Sequence, residues 1–139
     1  MLSIVYSSKA TEAFEEAHLV DVLLRSRRNN RRLALSGMLI YRDGYFLQAI
    51  EGPEAELRER MTRIAADPRH SDIAVLLEET IDERMFPAWT MGFQETDAQA
   101  GDPAPGLQAV FDDIAAGRDP VETVPSLREV IRRFQSDSR

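Results

Sequence analysis

Two apolar runs flank an Asp43-Gly44 pair in LALSGMLIYRDGYFLQAIEG, residues 33–52, and no other stretch limits the fold as strongly. Asp-Gly between such runs predicts a two-residue hairpin turn, because both positions tolerate positive φ. In the second run Phe46, Gln48 and Ile50 share one face, and Tyr45, Leu47 and Ala49 share the other. Both faces are largely apolar, which predicts an inner strand covered on both sides. Gln48 at its centre therefore needs a partner, since leaving a buried amide unpaired costs roughly 1–3 kcal/mol.

The remaining periodicity arranges elements around this hairpin. LSIVYSS (2–8) predicts a strand with Leu2, Ile4 and Tyr6 on one face. FEEAHLVDVLLRSRR (14–28) predicts a helix, acidic early and basic late, with Leu19, Val22 and Leu23 inward. EAELRERMTRIAAD (54–67) predicts a second helix turning Leu57, Met61 and Ile64 inward, after Pro53. DIAVLLEETI (72–81) and AWTMGFQE (88–95) predict two further strands. The order βαββαββ predicts an α+β fold, a ferredoxin-like sheet with an extra strand and two helices on one face. TDAQAGDPAPG (96–106) reads as a linker. LQAVFDDIAAG (107–117) and PSLREVIRRFQ (125–135) predict two amphipathic helices, the second opened by Pro125. These tail helices are the expected cover for the other sheet face; left open, that face could pair two copies as a homodimer.

At 139 residues the chain fits one core of ordinary composition, 43% hydrophobic and 29% charged. It has no cysteine and two histidines, His18 and His70, which argues against disulfides, thiolate metal sites and a histidine-rich metal centre. The absence of a basic-then-apolar amino end and of any long apolar span predicts a cytoplasmic protein, neither exported nor membrane-spanning. The net charge of −7 is uneven. Residues 1–48 carry seven basic and five acidic groups, a balance of +2, and the rest carry −9. Five of the basic groups lie in RSRRNNRR (25–32), either answering the dipole at a helix C-terminus or facing an anion. Nucleic acid is disfavoured as a partner because the acidic remainder repels phosphates.

Phosphate loops, nucleophile elbows and metalloprotease motifs are absent. The unusual feature is a set of polar or aromatic groups at interior strand positions: Tyr6, Gln48, and Trp89 with Met91 two apart on one strand face. In a ferredoxin-like order the first and third strands are neighbours, which would bring Tyr6 beside Gln48. Such a pair either satisfies itself or presents hydrogen bonds and an electron-rich ring to a ligand. Asn29-Asn30 offers the same choice, as a helix C-cap or as two amides for a heterocycle edge. Together these residues predict a planar heteroaromatic ligand between the two main helices, over the sheet.

With VYSS, RSRRNN, LSGMLIY, GYFLQAIEG, RIAADPRH and ERMFPAWTMGF in order, the chain resembles the BLUF domain family, blue-light sensors that use FAD. The overall length, with a two-helix tail, is similar to the short stand-alone bacterial members. The resemblance implies a photosensory domain over 1–95, a linker over 96–106, and a helical extension over 107–139 acting as the output element. It implies FAD as cofactor, with FMN or riboflavin as alternatives. Tyr6 would donate an electron and proton to the excited flavin, and Gln48 would bridge Tyr6 to the ring edge. Asn30 and Asn29 would hold the ring's polar edge, and Leu23 and Ile64 its apolar walls. Ser26, Arg63, Asp67, Arg69 and His70 fall on family positions near the ring, ribityl chain or rim. Trp89 and Met91 fall where the family carries a tryptophan and a methionine, one of which faces the flavin. The resemblance implies no enzymatic output and an unidentified downstream protein as partner. Two rival readings stand beside it: a flavin-dependent redox enzyme, which would turn over NAD(P)H in the dark, and a light-blind interaction module on the same fold.

Overall fold

The computed structural model describes residues 1–12, 14–87, 89–96 and 107–137. Its sheet contains β1 (Leu2–Ala10), β2 (Ser36–Arg42), β3 (Tyr45–Gly52), β4 (His70–Thr80) and β5 (Gly92–Thr96), in the spatial order β4-β1-β3-β2-β5. The helices are α1 (Leu19–Leu33), α2 (Glu54–Ala65), α3 (Leu107–Ala115) and α4 (Pro120–Asp137). All strand pairs are antiparallel except β2 with β5, so the first four strands form the ferredoxin-like split βαβ pattern and β5 adds a parallel edge.

The hairpin forms where its turn residues predict. Asp43 and Gly44 take φ of 49° and 86°, the two positive values a two-residue turn requires between right-twisted strands. Across it Leu39 pairs with Gln48, and Gly37 pairs with Ile50. Gly37 lies so close to β3 that a Cβ there would overlap the Ala49 carbonyl oxygen.

Both sheet faces are covered. On one, Leu2, Ile4 and Ile50 pack with Leu57 of α2, while Leu39 and Phe46 pack with Leu19 and Leu23 of α1. On the other, Val5, Met38, Ile40, Leu47 and Ala49 pack with Leu107, Val110 and Phe111 of α3 and Leu127, Val130 and Phe134 of α4. The tail helices therefore share one core with the sheet, and the face that could have paired two copies is occupied by them. Arg42 is buried under α3, where its guanidinium donates to Gln108 Oε1 and stands 5.9 Å from the Phe111 ring centroid.

Several boundaries differ from those the sequence predicts, most of all in the first helix, the last strand and the final helix. The first helix runs over Leu19–Leu33, five residues later than 14–28, behind a 3-10 turn at Glu16–His18. Its buried face continues from Leu19 and Leu23 through Ser26 to Asn30, which carries the helix past RSRR. Asn29 and Asn30 are thus inside α1 and not a C-cap; Ala34, at φ 59°, ends the helix. The last strand begins at Gly92, so Trp89 and Met91 lie in an irregular segment before it and do not share a strand face. Pro125 is inside α4, while Pro120 takes the first position, where a missing N–H costs nothing. Of the 96–106 linker, Thr96 closes β5 and 97–106 lie outside the described residues. No described helix is long and apolar enough to cross a membrane.

Leu127 is fully buried and Val121, on the same helix, is 76% exposed. Leu127→Ala should cost about 2–5 kcal/mol of unfolding free energy and Val121→Ala under about 0.5 kcal/mol, read by urea denaturation. Equal effects would mean that α4 does not dock through this face.

Candidate functional site

Antiparallel pairing of β1 with β3 sets Tyr6 directly opposite Gln48. Both are buried, and the Tyr6 hydroxyl donates to Gln48 Oε1. The other end of the amide, Nε2, faces only a weak acceptor, Met91 Sδ at 3.7 Å. Burial raises the Tyr6 pKa well above the usual phenol value of 10; the nearby Arg60 charge lowers it less, and Asp67 adds to the rise. The phenol is therefore held neutral, with its proton committed to the glutamine.

Next to this pair a cleft of about 220 Å³ opens between α1 and α2, above the sheet. Val22, Ser26 and Asn29 line it from α1, Arg60, Arg63 and Ile64 from α2, and Leu39, Phe46 and Gln48 from below. Asn30, one residue beyond Asn29, is completely buried. Its Nδ2 donates to the Thr90 carbonyl at 2.6 Å, while its Oδ1 has no partner among the described residues. A buried acceptor without a donor is costly enough to mark a place for one.

At the cleft rim Asp67 and Arg69 form a closed pair, with guanidinium-to-carboxylate distances of 2.7–3.2 Å. The Arg69 hydrogen bonds hold the Asp67 carboxyl below the usual carboxylate range. His70 is fixed between Ser8 Oγ at 2.8 Å and the Ile64 carbonyl at 2.6 Å, with its ring edge-on to Tyr6. Arg63 reaches outward to Glu59 at 3.5 Å, where both side chains are mostly exposed.

Most of the residues named from the sequence thus line one cleft, but Leu23, Asn30, Trp89 and Met91 do not. Leu23 packs below it with Leu39, Tyr41 and Met91, and Val22 takes the wall position instead. The sequence turns both residues inward, and in the structure Val22 is the one that lines the cleft. Trp89 sits on the tail-helix side of the sheet, stacked on Phe86 with ring centroids 5.9 Å apart, while Met91 packs on the cleft side. The pair separates because the segment before β5 is irregular, without the two-residue period that would keep both on one face. Arg60 is a residue that sequence reasoning missed. It lines the cleft and makes no ion pair among the described residues, and burial lowers its pKa. Its position one helical turn before Ile64 was a usable signal.

Chemically, the cleft offers an amide whose donor end is held only by a thioether, apolar walls and arginines at the mouth, with Asn30 buried one residue beyond its lining. That suits a flat heterocycle with donor and acceptor edges and an anionic tail.

Comparisons with known proteins agree on one family. The sequence profile of BLUF, described as sensors of blue-light using FAD, matches residues 1–92. Photoactivated adenylate cyclase subunit beta of Euglena longa is 32% identical over 128 residues, 91% of this chain and 15% of that protein. The chain thus spans about 15% of the length of this curated relative. The BLUF protein BlrB in its dark state superposes with a TM-score of 0.77 at 29% identity, covering 98% of this chain and 96% of that one. Klebsiella pneumoniae BlrP1, solved with FMN and cyclic diGMP, gives 0.64 at 27% identity over 68% of this chain and 26% of that one.

The family's cofactor is FAD, and this site fits it. Asn30 Oδ1, unpaired among the described residues, and the weakly held Gln48 Nε2 are an acceptor and a donor of the kind a flavin ring edge requires. Asn30→Ala should weaken FAD binding on the order of tenfold or more, measured by fluorescence titration. Unchanged affinity would mean that the orphan carbonyl serves another purpose.

Proposed function

The chain belongs to the BLUF family of blue-light sensors using FAD, and on that premise we propose that Tyr6 and Gln48 carry the photochemistry, with residues 107–137 relaying it to a partner protein. The observation that carries this reading is the buried Tyr6–Gln48 hydrogen bond, whose amide donor faces only a thioether.

When bound, FAD supplies blue-light absorption and, in its excited state, a strong oxidant. Tyr6 is a poor donor in the dark because its phenol is neutral and buried. Once oxidised it becomes strongly acidic, and its proton leaves along the existing bond to Gln48 Oε1. Gln48 can then exchange its two ends, by rotation or through the imidic tautomer. After the exchange a donor would stand where Oε1 now accepts from Tyr6, as the rotated Nε2 or as the imidic O–H, and the contact with Met91 would change. Tyr6 would recover its electron and its proton once the ends have exchanged, so only hydrogen bonds would differ between the two states and the change would be reversible. Glutamate could not replace Gln48, because an ionised carboxylate has no donor.

The rim residues contribute binding and charge. Ser26, Asn29, Ile64 and Asp67 line the cleft. Arg60 and Arg63 would face an anionic tail, which FAD and FMN share and riboflavin lacks, while Arg69 stays paired with Asp67. Signalling would proceed without turnover. Met91 contacts Gln48 and leads directly into β5, and the tail helices pack on the far side of the same sheet, so they are the output surface we favour.

Gln48→Leu should retain FAD but lose the small, reversible red shift that blue light induces, as read by visible spectra in the dark, after illumination and during recovery. A normal shift in that variant would put the switch elsewhere. Amide exchange over 107–137 should increase on illumination of the full chain with FAD bound. Identical exchange in dark and light would remove the tail from the pathway.

A further inference from the structure

Glu51 is the acid of GYFLQAIEG, three residues beyond Gln48, and its side chain points to the opposite sheet face. It is completely buried. Its carboxylate accepts two successive backbone N–H groups, from Met85 at 2.6–2.8 Å and from Phe86 at 3.1–3.4 Å. The Ser36 hydroxyl also donates to it, and Arg84 adds a favourable charge while bonding Ser36 Oγ at 2.9 Å and the Ala34 carbonyl at 2.5 Å. A buried carboxylate aimed at the backbone of an irregular segment is an unusual investment, because neutral side chains can satisfy N–H groups without the desolvation of a charge.

The segment it grips is the one that delivers Met91. From Phe86, which is fully buried, the chain runs to Trp89, whose N–H bonds the Phe86 carbonyl at 3.1 Å and whose own carbonyl accepts Gly37 N–H at 2.9 Å. It then crosses to the cleft side. There the Thr90 carbonyl accepts from Asn30 and the Met91 carbonyl accepts from Arg27 Nε at 3.0 Å. The described residues 85–87 and 89–91 are therefore held by Glu51 on the tail-helix face and by Asn30 and Arg27 on the cleft face. β3 carries the switch amide on one side and the anchor of its neighbour's segment on the other.

We propose that Glu51 is a positioning residue for the photocycle: by clamping Met85 and Phe86 it sets where Met91 stands against Gln48, and so how firmly the Gln48 amide is held in each state. The inference rests on the reading of Gln48 as the switch. With the clamp intact, an exchange of the amide ends must displace a tethered methionine; with the clamp released, Met91 yields and the barrier falls.

The test is Glu51→Gln in the full chain loaded with FAD. Glutamine keeps one acceptor oxygen for the two N–H groups and replaces the other with a donor, so the clamp is weakened while every cleft residue is kept. Dark recovery after a blue flash should be on the order of tenfold faster than in the unmodified protein, with FAD stoichiometry and red shift retained. Leu57→Ala, a core substitution away from this segment, controls for general destabilisation and should change recovery less than about twofold. Recovery in Glu51→Gln that matches the unmodified protein, or an equal acceleration in Leu57→Ala, overturns the proposal. A second measurement needs neither a variant nor light. Amide exchange of Met85 and Phe86 in the dark protein should be slowed like that of a strand. Exchange at the rate of open loop amides overturns the clamp even if the Gln48 switch stands, and the absence of any red shift in the unmodified protein overturns the switch even if the clamp stands.

Discussion

The pairing of β1 with β3 is the contact on which the site depends. It places a tyrosine hydroxyl against a glutamine carbonyl inside a sheet covered on both faces, where water cannot substitute for either group. A one-residue slip would send Tyr6 to the tail-helix face, so the register is enforced by every apolar residue that alternates with it. Val5 buried beneath the tail helices and Ile4 beneath α2 hold Tyr6 in place as effectively as Gln48 does. The photochemical pair thus inherits its geometry from core packing.

The two faces of this sheet have different jobs. One holds a cleft with unmet hydrogen-bonding capacity, and the other buries the tail helices in a continuous apolar core. The segment between β4 and β5 passes from one to the other. Phe86 and Trp89 belong to the tail-helix side and Met91 to the cleft side, with backbone bonds made on both. A change at Gln48 therefore has a short physical route to the opposite face, through a piece of chain whose conformation depends on a few hydrogen bonds instead of a ladder.

Charge is distributed to match. Arginines from RSRRNNRR and from α2 stand at the cleft mouth, and the one most inside it, Arg60, lacks an ion-pair partner among the described residues. The Asp67–Arg69 pair is satisfied within itself, which fits a structural rim. Arg42 is the exception on the far face. It is a buried cation under α3 whose Nη1 has no partner among the described residues.

Much of this was legible in the residues alone. Period-two alternation in β1 and β3 revealed which side chains share a face, and Asp43-Gly44 located the turn, because both are local properties of the backbone. The odd position of Gln48 pointed to a buried partner, and the family motifs around it identified the kind of site. The helix containing Asn29 and Asn30 was misjudged, because its end depends on Asn30 finding Thr90, sixty residues away. Trp89 and Met91 looked alike in sequence and ended on opposite faces, and Glu51 looked like the polar end of a strand. Local pattern determined the elements and their buried faces, since those follow from the spacing of apolar groups along one chain. The tertiary structure alone decided which way the segment before β5 crosses the sheet and what Glu51 grips, because hydrogen bonds between distant, irregular backbone leave no period to read.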